Sequence, residues 1–364
     1  MLNTDKPRSI IMFEESIKSP KTLNQYKKRL EKFLEWSHKD YESLLLLPSE
    51  QLQVLIEDYV FFLKKGGLGF SAINLDIAAI KKFLLVSDRE IKMSKIRMLL
   101  PEQRKAAGQK SYTVEQIQKM LEFADTLRNK ALIHCLAAGG FRAGAFEELK
   151  VKHLEEMPDN CYAATVYAES KHEYITFLHH EARKALDEYL EFRQKNGELV
   201  TQESYLFQAE RKKLFSKPKP ISSQAVDDTI FRIIKKAGIV RTKQDGSNRY
   251  DISACNGFRK RYNTILKSNP QISFAIAERM MDHSTYLEPI YLDTSDKVKF
   301  FAEYRKAIPD LIIDKSERLR LQNRLKDETI KKMESEKDSR IAQLENDMVV
   351  IKKLLMQNKK SQQL

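Results

Sequence analysis

Three clusters in this sequence hold residue types that handle anions. The first, Gly139-Gly140-Phe141-Arg142-Ala143-Gly144, places an arginine at a glycine-flanked junction after the apolar run 131–138. A guanidinium leaving the apolar end of a helix loses hydration unless an anion meets it. The second, Asn256-Gly257-Phe258-Arg259-Lys260-Arg261, packs three cations beside apolar side chains. The third, Asp282-His283-Ser284, is followed by Tyr286 and Tyr291. Taken singly, each arginine reads as well as a structural ion-pair partner, and each tyrosine as a packed aromatic. The charge balance favours an anionic partner: 64 Lys+Arg stand against 51 Asp+Glu, a net of +13. Residues 314–364 hold 13 of the basic and nine of the acidic residues, so the surplus is not confined to the tail. A polyanion suits such a surface, because neutralised phosphates release condensed counterions.

Other classes are excluded early. Glycine (11) and proline (10) are scarce in 364 residues, which rules out a collagen-like or linker-rich chain and favours helix. The three cysteines, Cys135, Cys161 and Cys255, form no C-x-x-C pair, and no histidine lies at zinc-finger spacing from them. Neither a disulfide framework nor a structural zinc site is expected, and a reducing compartment is. MLNTDKPRSIIMFEES at the start holds no secretory hydrophobic segment. No apolar run nears the roughly 20 residues that span a bilayer. The expected setting is cytoplasmic.

The elements that must position the clusters follow from apolar spacing. After Ser19-Pro20, Leu23, Tyr26, Leu30, Phe33 and Leu34 fall at steps of three and four, which predicts an amphipathic helix. A second is predicted behind Ser49 as N-cap, with Leu52, Leu55, Ile56, Tyr59 and Phe62 on one face and Gly66-Gly67 as its stop. A third begins after Ser71 and carries Ile73, Ile77, Ile80, Phe83 and Leu84. Lys27, Lys28, Lys81 and Lys82 project from the polar faces of the first and third. Residues 101–112, PEQRKAAGQKSY, read as an inter-domain linker.

Beyond the linker, Thr113 and Gln116 have the spacing of a capping box. Strands are expected at Tyr162–Tyr167 and Tyr174–Leu178, around a turn at Glu169-Ser170-Lys171-His172. A helix follows from Glu181 to about Asn196, stopped by Gly197. The stretch 211–220 is a basic, proline-containing loop, and helix resumes at Ser222-Ser223 as far as Gly238. Near the end, Ile341, Leu344, Met348, Ile351 and Leu355 alternate by three and four, a two-heptad coiled-coil seam. Leu325, Ile330 and Met333 extend the apolar stripe upstream with a break in phase. Self-association through this segment is the expectation.

In this order, the motifs resemble the catalytic set of the tyrosine recombinase (phage integrase) family. GGFRAGAFEELKVKHL (139–154) is similar to its first arginine motif, and ESKHEYITFL (169–178) to its β-hairpin lysine segment. NGFRKRYNT (256–264) resembles the His-x-x-Arg box, and MMDHSTYLEPIY (280–291) the Gly-His-Ser … Tyr end motif. ARKALDEYLEFRQKNGE (182–198) and the coiled-coil tail resemble archaeal integrases most. The resemblance covers 113–310 and fits 19–100, where the family has a helical core-binding domain. The implied fold is mainly α with a small antiparallel β-sheet. A core-binding (DNA-clamp) domain is expected at 1–105, a catalytic domain at 113–310 and a C-terminal helix or coiled coil at 314–364.

The implied chemistry is the cutting and rejoining of DNA. A phosphodiester attacked in line gains negative charge on its non-bridging oxygens, which two always-charged, bidentate guanidiniums match. By resemblance, Arg142 and Arg259 form that clamp. Lys171 enters the minor groove and protonates the 5′-oxygen leaving group, and His283 hydrogen-bonds the phosphate or assists proton transfer. Tyr291 is the nucleophile and forms a 3′-phosphotyrosyl bond. Asn256 fills the remaining catalytic position. Lys27, Lys28, Ser71, Asn74, Lys81, Lys82 and Lys260 are the candidate DNA contacts. The covalent bond conserves the energy of the cut strand, so neither ATP, metal nor other cofactor is implied. The implied partners are double-stranded DNA with attachment-type sites and further copies of the chain in a tetrameric synapse.

Departures from the pattern are specific. Asn256 stands where the family has His or sometimes Lys; its amide donates hydrogen bonds but carries no charge. Asp282 replaces the glycine before the last histidine and is expected to face either His283 or solvent. Ala145 stands where an acid commonly follows the first arginine, with Glu147 or Glu148 as candidate substitutes. Tyr286 rivals Tyr291, although the eight residues from His283 to Tyr291 match the family's spacing. His172 and Lys184 are the neighbours of Lys171 considered for its role. Site-specific recombination, in integration or excision of a mobile element or virus, is the expected function. A type IB topoisomerase-like relaxing activity and a non-catalytic DNA-binding accessory role are the alternatives.

Overall fold

The computed structural model describes residues 6–103, 110–209, 218–243, 250–283 and 296–361. The chain divides into two compact units, Met1–Ala106 and Ala107–Leu364.

Among the described residues, six helices build the first unit: α1 (Arg8–Glu15), α2 (Pro20–Ser37), α3 (Tyr41–Leu45), α4 (Ser49–Lys65), α5 (Phe70–Val86) and α6 (Met93–Leu99). Proline at the first position of α2 is pre-set for helix, and the Ser19 side chain accepts from Thr22 N. The expected stripes pack inward, with Leu30, Phe33, Ile56, Tyr59, Ile77 and Phe83 fully buried. Ser49 is not the cap of α4. Pro48 is, because its carbonyl already accepts the first helical bond from Leu52 N at 2.9 Å. Within this core Asp76 is 1% exposed, paired with Arg29 and 3.9 Å from Lys32 Nζ. The short helices α1, α3 and α6 carry too few apolar repeats to stand out in sequence.

The linker reading fails at its C-terminal end. Lys110 N donates to Asp251 O at 2.7 Å, and Tyr112 is buried with its hydroxyl donating to Ala254 O at 3.0 Å. These residues belong to the second unit's packing.

The second unit opens with α7 (Val114–Glu122), whose Thr113–Gln116 capping box is formed as expected, and α8 (Leu127–Gly139). A three-stranded antiparallel sheet follows, ordered β1 (Leu154–Met157), β2 (Cys161–Val166), β3 (Tyr174–Leu178). Its register pairs Glu155 with Ala163 and Ala163 with Phe177. Strand β1 was not expected: Leu-Glu-Glu-Met is short and acidic, and Glu156 is held outside by Arg183 at 3.0 Å. Then come α9 (His180–Lys195), α10 (Ser223–Lys236), α11 (Ala254–Ser268), α12 (Phe274–Arg279), α13 (Lys297–Leu311) and α14 (Lys315–Ser361). Ser222 caps α10 as expected.

Helix α8 is the hub. Ala131–Ile133 and Cys135–Gly139 are buried, and Ala131, Ala137, Ala138 and Gly139 are small enough for other elements to approach closely. Its last carbonyls, which no helical N–H can reach, are met from elsewhere. Thr176 Oγ1 donates to Gly139 O at 2.8 Å, and Tyr304 OH to Ala138 O at 3.1 Å. Cys135, Cys161 and Cys255 are free and buried. Among the described residues, no helix is long and apolar enough to cross a membrane.

Helix α14 runs 47 residues, about 70 Å at 1.5 Å per residue. Its first turns are docked: Glu181 accepts from Ile313 N and Asp314 N, and His180 Nε2 lies 2.6 Å from Glu317 Oε1. Farther along, Ile330, Met333, Ile341, Leu344, Met348 and Ile351 are exposed. The side chains of Leu325 and Leu355 lie outside the described residues.

Candidate active site

The chain reverses directly after α8 because Gly140 adopts φ +59°. A Cβ there would lie 2.4 Å from Tyr262 Cδ1, so a side chain has neither the conformation nor the space. This turn delivers Arg142 to the rim of the unit. Its Nη1 donates to Asp282 Oδ2 at 2.7 Å, and its Nη2 reaches the carbonyls of Asp282 (3.3 Å) and Met281 (3.5 Å).

Arg259 comes from α11 and is only 8% exposed. Its Nη1 donates to Gly140 O at 2.7 Å and its Nη2 to Met281 O. Burial lowers its pKa, Tyr174 opposes that shift, and the Arg142 charge adds to it. A guanidinium nevertheless stays protonated at neutral pH. His283 Nε2 lies 3.4 Å from Arg259 Nη2, and its Nδ1 lies 3.2 Å from Glu278 Oε1. Burial raises the pKa of Glu278, but its bonds to Lys267 and His283 prevail and hold it below the usual carboxylate range.

The structure thus brings Arg142, Arg259 and His283 onto one turn, residues 281–283. Lys171 is exposed at the turn between β2 and β3, and makes no ion pair among the described residues. The adjacent His172 Nδ1 lies 3.9 Å from Asp282 Oδ2, which sets this turn beside the arginines. Asn256 is exposed on α11, one turn before Lys260, which is half-buried. Ser284, Tyr286 and Tyr291 lie outside the described residues, as does most of the basic loop at 211–220.

Several expectations change. Asp282 faces neither His283 nor open solvent; it pairs with Arg142. Glu147 Oε1 accepts from Ser223 N at 2.6 Å, at the start of α10, and Glu148 is exposed. Arg261, beside Arg259 in sequence, instead holds the end of α13 through Leu311 O (3.3 Å) and Asp310 O (2.6 Å). Burial pushes its pKa down to about 10. Lys27 is tied to Glu14 at 2.5 Å, Lys82 is half-buried, and Lys28, Ser71, Asn74 and Lys81 are exposed. Lys184 is on α9, as expected. Glu278 and Lys267 were missed, because no fixed spacing to His283 marks them in sequence.

Residues 110–288 match the Phage integrase family. The chain is similar in structure to the Tn1549 transposon integrase in complex with circular intermediate DNA. It is 13% identical, covering 84% of this chain and 99% of that one, with a TM-score of 0.52. XerA recombinase is 21% identical over 86% of this chain and 96% of its own, with a TM-score of 0.38. A lambda integrase dimer bound to a COC′ core site is 16% identical over 76% and 89%, at 0.49. No match is found among curated protein sequences. The helical unit with its three-stranded sheet has the tyrosine-recombinase catalytic fold. Residues 110–288 form a domain of the phage integrase family.

Proposed function

We propose that this protein is a tyrosine-type site-specific recombinase, akin to archaeal integrases, that integrates or excises a mobile element or virus through a 3′-phosphotyrosyl intermediate. The observation that carries the reading is the convergence of Arg142, Arg259 and His283 on the turn at 281–283. Two guanidiniums and a histidine on one turn suit the equatorial oxygens of a phosphodiester under in-line attack. The Tyr291 hydroxyl attacks phosphorus, its proton leaves to a neighbouring base, and the bond to the 5′-oxygen breaks. Lys171 supplies the proton which that oxygen takes up. Asn256 offers a neutral hydrogen bond to the same phosphate. A free 5′-hydroxyl from a second strand then reverses the step and releases tyrosine.

The first helical unit is read as a core-binding domain, with Lys27, Lys28, Ser71, Asn74, Lys81 and Lys82 toward DNA and Lys260 contributing from α11. The DNA in the Tn1549 integrase complex supports duplex DNA as the partner. Synapsis is assigned to a tetramer, and the exposed apolar positions of α14 support assembly. That exposure favours recombination over simple relaxation, which needs no second duplex.

The test is covalent trapping on a nicked suicide duplex. Wild type should give a protein–DNA adduct that Tyr291→Phe abolishes while DNA binding persists. An adduct in that variant transfers the role to Tyr286. No adduct in wild type leaves the accessory reading, and an adduct without strand exchange between two duplexes leaves the relaxing enzyme.

A further inference from the structure

Arg142 and Arg259 are satisfied in different ways. Each Nη atom of Arg259 donates to a backbone carbonyl, Gly140 O or Met281 O, which cannot leave without unfolding the turn. Arg142 instead meets a carboxylate, Asp282 Oδ2, at 2.7 Å. Among the described residues this is the one acidic side chain within 4.0 Å of either arginine. The pair sits at the rim, with the Arg142 side chain 36% and the Asp282 side chain 21% exposed. Asp282 holds φ +50°, a left-handed conformation that costs a non-glycine residue energy. The turn therefore bears strain in the conformation that aims this carboxylate at the guanidinium. The same oxygen lies 3.9 Å from His172, so the carboxylate stands between Arg142 and the turn that carries Lys171.

We propose that Asp282 is an internal anion that occupies Arg142 in the DNA-free protein and must be displaced by an oxyanion of the incoming phosphodiester. A carboxylate and a phosphate oxygen compete for the same donors with similar geometry. While Asp282 is seated, the site carries one positive charge fewer towards an incoming anion, and a seated phosphate faces the displaced carboxylate as a like charge. Asp282 is thus a specificity-setting residue: a phosphate delivered by wider contacts to the DNA displaces it readily, and stray phosphate does so only at much higher concentration. The identity of the incoming group rests on the recombinase reading, whereas anion binding at Arg142 does not.

The experiment titrates the full chain with inorganic phosphate at constant ionic strength and follows the arginine side-chain NMR signal that Arg142→Ala removes. Asp282→Asn keeps the side-chain shape and tolerates the left-handed backbone, and should lower the half-saturating phosphate concentration about tenfold, since one like charge beside the anion is gone. Asp282→Gly, suited to φ +50°, should do the same if the asparagine variant folds poorly. Adding Arg142→Ala should erase the gain. Unchanged or weaker phosphate binding in both variants overturns the proposal, even where wild type forms a DNA adduct. Tighter phosphate binding with no adduct in any variant keeps the proposal and overturns the recombinase reading of the site.

Discussion

Arg259 Nη1 donates to the carbonyl of Gly140 at 2.7 Å, across 119 residues of chain. The second arginine thereby braces the turn that presents the first. Its charge serves the site, and its fork also serves the fold.

This double duty separates the two arginines experimentally. Arg142→Ala and Arg259→Ala should each slow single-turnover cleavage by about 10²–10³, the scale for losing one oxyanion-type donor. Only Arg259→Ala should also destabilise the protein, by about 3 kcal/mol, since it strands two buried carbonyls. Arg259→Lys should recover part of the stability and little of the rate, because a point charge cannot hold both carbonyls. Urea unfolding of the three variants beside wild type checks the split. Equal losses of stability in both alanine variants would refute it.

Gly257 is closed over by Tyr112: a Cβ there would stand 2.5 Å from Tyr112 Cε2 and 2.9 Å from Ile252 Cγ2. Gly257→Ala should therefore cost about 1–3 kcal/mol as an overpacked site. Tyr112→Leu in the same chain should return part of that loss, giving a non-additive double-mutant cycle. Additive losses would mean the ring moves aside freely.

His179 is buried with neither ring nitrogen hydrogen-bonded, and burial, then the neighbouring His180, His134 and Arg261, hold its pKa well below the ordinary value. The unfolded chain protonates this histidine near pH 6.5, and the folded chain refuses the proton until lower pH. Its contribution is complete above pH 6.5 and is lost as pH falls below it, by up to about 1.4 kcal/mol per pH unit. Glu181, raised by burial, works in the opposite sense as it takes up a proton. His179→Gln does not titrate, so its stability should fall less steeply than wild type between pH 7 and 5. Parallel slopes in urea unfolding would remove His179 as the cause.

How much of this was legible in sequence follows from distance along the chain. The Thr113–Gln116 box, the Ser222 cap and the Lys171 turn are set by residues within a few positions of one another, and spacing reveals them. Arg142 and Arg259 stood out by type. What they touch did not, because Gly140 O, Met281 O and Asp282 Oδ2 reach them across 22 to 140 residues. Carbonyl acceptors also leave no mark on residue identity. Strand β1 escaped notice because pairing with β2, not β-propensity, makes it a strand. Tyr112 looked like linker until Phe258, with ring centroids 4.8 Å apart, supplied its packing partner.

The tail offers the last test, and the structure moves its boundary. Cutting before Asp314 would strip Glu181 of one of its two backbone donors, Asp314 N, and remove Glu317 from His180. Leu321, packed against the core around Tyr304, would go as well. That deletion should lower stability and confuse any result on assembly. Deleting 325–364 keeps these contacts and removes the exposed Ile341, Leu344, Met348 and Ile351, whose spacing of three and four fits a coiled-coil seam. Two heptads form a short seam, so its effect should be largest where DNA already gathers several copies. The shortened protein should unfold at the same urea concentration as wild type and form the same suicide-duplex adduct. Its multimers on DNA, followed by sedimentation velocity, should dissociate at concentrations where wild-type multimers persist. Identical sedimentation of the two proteins on DNA would leave the outer α14 with no part in assembly.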